Sequence, residues 1–164
     1  MLNPASPQIA VASVLSKHLG SVLLIVSLVT FFLYAAVASY PFLAYDDDFF
    51  VTENAYVKQG LTQESFLWSW TATLGFYHLI TWLSLMLDAT LFGINPGAFH
   101  LTNLWLHIAN TLLLFYFLSR ATRESGKSLV VTCVFAWHPV NVETVAWIAE
   151  RKGLLATLFG GVLI

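Results

Sequence analysis

The chain has 164 residues, of which 58% are hydrophobic and 10% charged, with a formal net charge of −2 at pH 7. A soluble domain carries about 25% charged residues, so this composition belongs to a membrane protein, and no basic face exists to release counterions from nucleic acid. The single Cys133 lies inside an apolar run, which excludes a disulfide framework and a cysteine-rich metal centre.

Residues 19–42 carry no charge and follow Lys17 and His18. The run reaches the roughly 20 residues that a spanning helix needs and exceeds the usual signal-peptide core of about 7–15. Ala36-x-Ala38 has the spacing of a cleavage site, but the segment reads as an uncleaved anchor. Asp46, Asp47 and Asp48 stand just beyond it. Adjacent carboxylates repel one another, cost more beside low-dielectric material, and should titrate as a set.

The next apolar segment, 74–94, is interrupted by His78 and Asp88, and Thr81, Ser84 and Asp88 fall on one helical face. With Trp68, Trp70, Tyr77 and Trp82 nearby, this pattern predicts helices lying in the membrane interface. Residues 98–119 then return through the membrane, which places Arg120, Arg123 and Lys127 on the side of Lys17 and obeys the positive-inside rule. Residues 43–97 become an extracytoplasmic loop.

The span 98–119 carries His100, Asn103, His107 and Asn110 on one face. Such a row must look at protein or at a water-filled cavity; interhelical hydrogen bonding and direct substrate contact both fit it. The two His at this spacing are not read as metal ligands.

The third span is expected over 128–149, broken near His138 and Pro139, because proline lacks an N–H and disfavours helix in the residue before it. Beyond the restart, Glu143 and Trp147 share a face with Glu150 or Arg151. Arg151 and Lys152 stand at the extracytoplasmic end, where the positive-inside rule disfavours them, so an anionic partner is expected there. A lipid phosphate suits guanidinium and ammonium groups, and an ion pair between Glu143 and Arg151 is the structural alternative. A fourth span begins at 154, and the sequence stops within it, an ending that reads as a truncation.

These residues carry a resemblance. Tyr45-Asp46-Asp47, Asn54, Tyr77, Thr81-Trp82-Leu83-Ser84, His100-Leu101-Thr102-Asn103, His107 and, above all, His138-Pro139-x-x-x-Glu143-x-Val145-Ala146-Trp147-Ile148-x-x-Arg151-Lys152 resemble the tetratricopeptide-repeat transmembrane O-mannosyltransferase-type proteins. These are GT-C integral-membrane glycosyltransferases, and the resemblance covers roughly 40–159. The segments above make an all-α, polytopic bundle of about four spans with interfacial helices. The resemblance identifies this bundle as the N-terminal part of a GT-C fold whose full pattern has many more helices and a repeat domain. It also implies a polyprenyl-phosphate sugar donor, an extracytoplasmic (periplasmic or lumenal) active site, and an acidic base after the first span. The chain departs from the pattern at His78-Leu79, where an Arg-Pro type pair is usual, and at Gly153, where an Asp is usual.

Transfer of a sugar such as mannose to a hydroxyl on a protein or glycan needs a base for the acceptor proton and a group that stabilises the leaving phosphate. Asp46 or Asp47 is expected to be the base, and Arg151 and Lys152 to hold the donor phosphate. Glu143, His138, His100, Asn103, His107 and Tyr77 are expected to support them. No cofactor is expected, although Asp46-x-Asp48 could hold a divalent metal instead. A rival reading is a catalytically inactive membrane protein whose polar row only packs helices.

Overall fold

The computed structural model describes the backbone of residues 7–72 and 78–162 and the side chains of 18–72 and 78–161. Tyr77 lies outside the described residues. Within them the chain forms helices and no strand: α1 (Pro7–Tyr34), α2 (Ala55–Lys58), α3 (Gln63–Thr71), α4 (Leu79–Phe92), α5 (Pro96–Thr122), α6 (Ser125–Trp137), α7 (Asn141–Ala146) and α8 (Arg151–Val162). Short 3-10 turns at Ala35–Ser39 and Ile148–Glu150 and a π turn at Asp48–Thr52 complete the path.

Local chemistry sets several boundaries. Asn54 caps α2 by accepting from the backbone N–H groups of Tyr56 and Val57, and Thr62 and Ser65 form a reciprocal capping box on α3. Asn95 caps α5, whose first residue is Pro96, a position where a missing N–H costs nothing. Gly97 lets the start of α5 approach the turn after α1, since a Cβ there would lie 2.5 Å from the carbonyl oxygen of Ala38.

Two helices, His18–Ser39 (with its terminal turn) and Pro96–Thr122, are long and apolar enough to cross a membrane. The expected third span ends early: α6 stops at Trp137 after 13 residues, about 20 Å of helix against a hydrocarbon core of about 30 Å. His138 is extended before Pro139, as the proline demands. The apolar residues that follow turn inward instead of continuing, and Val145, Ile148 and Ala149 are fully buried.

Contacts fix the helix directions. His107 meets the carbonyl of Ala136 and Thr122 meets Ser128, so α6 runs antiparallel to α5. Asn103 bonds the carbonyl of Trp147 and Asn110 that of Leu154, so α8 runs parallel to α5. Thr30 accepts from the indole N–H of Trp137 and Tyr34 donates to the carbonyl of His138, which brings the ends of α1 and α6 together. The Asp46 turn, the Pro139 break and the start of α5 therefore gather at one end of the bundle.

The polar stripe on α4 is turned into the bundle. Thr81 and Asp88 are buried together with Trp82, Leu85, Met86 and Ala89, while Ile80, Leu87, Leu91 and Phe92 are exposed, so the polar residues join a largely apolar inner face and apolar residues also line the outside. Trp82 is fully buried, stacked on Phe50 at 5.0 Å.

Candidate functional site

The three carboxylates after α1 adopt three different environments. Asp47 is wholly buried; its two oxygens accept from the backbone N–H groups of Leu43 and Ala149, each at 2.9 Å. Burial pushes its carboxyl above the usual range, partly opposed by those two N–H groups. A carboxyl raised in the fold adds stability below its unfolded value and loses it as pH rises through its folded one. Asp48 accepts from the hydroxyl of its own neighbour Thr52 at 2.9 Å. Asp46 is half-buried, and its carboxylate makes no hydrogen bond or ion pair among the described residues. Of the two acids expected to act as base, Asp46 is thus available and Asp47 is committed to holding two segments together.

Arg151 and Lys152, read as a pair from the sequence, separate. Arg151 has a fully buried side chain whose Nη1 lies 2.6 Å from the Asp88 carboxylate. Its Nε donates to Asn103 Oδ1 at 2.8 Å, Nη2 to the carbonyl of Phe99 at 2.8 Å, and Nη1 also to the hydroxyl of Ser84 at 3.2 Å. The guanidinium ties α4, α5 and α8 together and has no face turned to a ligand. Its ion-pair partner is Asp88 rather than Glu143, which is exposed.

Lys152 is one-third exposed, 3.0 Å from Glu150 and 5.8 Å from the ring centres of both Phe50 and Trp147. It borders a groove of about 310 Å³ whose walls include Leu79, Ile80, Leu155 and Phe159. His78 lies at the same groove, its pKa lowered by burial and then by the charge of Lys152. A Cβ at Gly153 would stand 3.5 Å from the Glu150 carboxylate, an ordinary contact, so an acid there would fit but add a second negative charge beside the acid already paired with Lys152.

The polar row of α5 is turned into the bundle. His100 reaches the carbonyl of Pro41 at 3.4 Å, Asn103 that of Trp147 at 3.0 Å, His107 that of Ala136 at 3.1 Å and Asn110 that of Leu154 at 2.9 Å. Pro41 and Trp147 lie in irregular backbone and Ala136 in the last turn of α6, where carbonyls lack helical partners. The row satisfies those carbonyls, so interhelical bonding describes it. His138 is exposed at the lip of a separate groove beside Leu129 and Cys133, its Nδ1 accepting from the backbone N–H of Val140.

Glu143 opens onto a pocket of about 530 Å³ whose walls include Tyr40, Leu43, Tyr45 and Trp147. Trp147 links the parts: its ring lies 5.9 Å from that of Tyr45, the residue before Asp46, and 5.8 Å from Lys152 Nζ. Trp147 thus packs on Tyr45, has Lys152 at its ring and shares a pocket with Glu143, while Asp46 is the next residue after Tyr45. Among the described residues no three His, Cys, Asp or Glu side chains gather in a group that could hold a metal. Trp147 was not among the expected site residues; its signals in the sequence were its shared helical face with Glu143 and its place in the His138–Lys152 motif.

No family model and no solved structure matches the chain. Curated proteins do. Mouse protein O-mannosyl-transferase TMTC1 is 39% identical over 83 residues, which is 50% of this chain and 9% of that protein. Human protein O-mannosyl-transferase TMTC1 is 36% identical over 83 residues, again 50% of this chain and 9% of that protein, and mouse TMTC2 is 34% identical over 51% of this chain and 10% of its own length. The match thus spans about a tenth of each of these relatives. Over half of its length this chain is therefore similar in sequence to the TMTC protein O-mannosyl-transferases.

Proposed function

We propose that the chain contributes the base and the donor-phosphate contact of a membrane glycosyltransferase, moving mannose from a polyprenyl-phosphate donor to a hydroxyl acceptor on a protein or glycan. The observations that support this reading are an unpaired carboxylate at Asp46, the residue after a Tyr45 that packs on Trp147, and a partly exposed ammonium at Lys152, 5.8 Å from the same indole. Asp46 takes the proton of the acceptor hydroxyl as that oxygen bonds the sugar's anomeric carbon. The bond from that carbon to the phosphate oxygen breaks, its electron pair leaves with the phosphate, and Lys152 offsets the developing charge. The apolar groove next to Lys152 suits a polyprenyl chain. Arg151 acts at one remove, by fixing the start of α8 from which Lys152 projects.

The test is transfer from a mannosyl-phosphate polyprenol by the chain reconstituted in lipid vesicles. Transfer should occur, and Lys152→Gln should raise the donor KM about tenfold, equal to about 1.4 kcal/mol, with the acceptor KM unchanged. No transfer by the unaltered chain would leave the rival reading, a membrane protein that only packs helices. Turnover that needs a divalent cation and stops with chelator would favour a metal at Asp46 and Asp48.

The reading also sets a topology, with the Asp46 turn outside the cytoplasm and the α5–α6 turn inside. In a Cys133→Ala background, Glu53→Cys should react with an impermeant thiol reagent in intact cells and Ser125→Cys only after permeabilisation. The reverse pattern would remove the active site from the compartment assigned to it.

A further inference from the structure

The pocket beside the Asp46 turn has a lining that sugar transfer alone does not use. Four aromatic residues, Tyr40, Phe42, Tyr45 and Trp147, share it with one carboxylate, Glu143, which is exposed and makes no hydrogen bond or ion pair among the described residues. A sugar ring would call for several convergent donors and acceptors, and the polar side-chain groups here are few. Aromatic faces with a single carboxylate instead suit a cation, through the ring quadrupole and direct charge complementarity.

The position of the pocket says which cation. Asp47 clamps its two walls, since it bonds the backbone of Leu43 on one side and of Ala149, two residues beyond Trp147, on the other. Asp46 directly follows the lining residue Tyr45 in the chain, so the pocket opens within one residue of the acid assigned to meet the acceptor hydroxyl. Lys152, the cation already near Trp147, pairs with Glu150 at 3.0 Å, and Glu143 makes no ion pair among the described residues.

We propose that this pocket receives the lysine or arginine side chain of an acceptor polypeptide, a few residues from the hydroxyl that is glycosylated, which makes Glu143 the determinant of a preference for basic acceptor segments. The inference rests on the transferase reading for its acceptor. The pocket's preference for a cation can be measured without any transfer.

The experiment is equilibrium binding of short fluorescein-labelled peptides to the chain in lipid nanodiscs, read by anisotropy against empty discs. The peptides share one central threonine and differ only in a neighbouring lysine, norleucine or glutamate. The lysine peptide should bind about tenfold more tightly than the norleucine peptide, and Glu143→Gln should reduce that ratio to about twofold or less. Because Glu143 is exposed, its replacement should leave the melting temperature unchanged. Equal binding of the three peptides, or a lysine preference that survives Glu143→Gln, would overturn the proposal. So would tighter binding of phosphocholine than of the lysine peptide, which would assign the pocket to a lipid headgroup. A Glu143-dependent lysine preference in a chain that transfers no sugar would uphold the pocket and sink the transferase reading.

Discussion

Arg151→Gln is expected to destabilise the fold by about 3–5 kcal/mol, the scale for removing one partner of a buried ion pair. The guanidinium is fully buried and holds Asp88, Asn103, Ser84 and the carbonyl of Phe99, so its loss strands a buried carboxylate and several acceptors on two helices, α4 and α5. Asp88→Asn should cost less, because Asn103 and the Phe99 carbonyl still engage the cation and Thr102 still has an oxygen to bond. Combining Asp88→Asn with Arg151→Met should recover part of the single-variant loss, since the two groups touch and their effects cannot be additive. Glu143→Gln should leave stability where it was. Thermal unfolding of these variants in one detergent decides the matter: Arg151→Gln melting with the parent chain would return the guanidinium to the role of a phosphate ligand.

The same ion pair shows where a sequence reading stops. Two isolated charges in apolar segments, Asp88 and Arg151, were each visible as anomalies, but nothing in one-dimensional spacing states that α4 and α8 pack side by side. The polar face of α4 was legible as a face. Its direction was not, because a polar face turned to water and one turned to a buried arginine share the same period. Composition likewise made 128–149 look like one span, whereas Pro139 redirects the chain and buries Val145 and Ile148 against the bundle. The long helices α1 and α5, the break at His138 and the grouping of the α5 polar row followed directly from charge, proline and periodicity, since each depends only on neighbours in the chain.

Asp46 and Asp47 are adjacent, yet Asn at each position should fail in a different way. Asp46→Asn removes an unpaired, half-buried carboxylate, so turnover from a polyprenyl-phosphate donor should fall by roughly 10²–10⁴, the usual contribution of a general base, with an unchanged melting temperature. Asp47→Asn keeps one acceptor oxygen but points an amide N–H₂ group at a second backbone N–H, either that of Leu43 or that of Ala149. Two donors then face each other in a buried place, at a cost of about 1–3 kcal/mol. Its activity should therefore fall through displacement of the Asp46 turn from Trp147, and cooling or added lipid that restores the fold should restore part of the rate. The pH response separates the two again: burial raises the Asp47 carboxyl, so the parent chain loses stability as pH rises through that group's folded value, and Asp47→Asn removes this dependence while Asp46→Asn retains it. A large loss of turnover in Asp47→Asn with full stability, beside an active Asp46→Asn, would transfer the role of base to the buried acid and require the Leu43 and Ala149 contacts to open during each cycle.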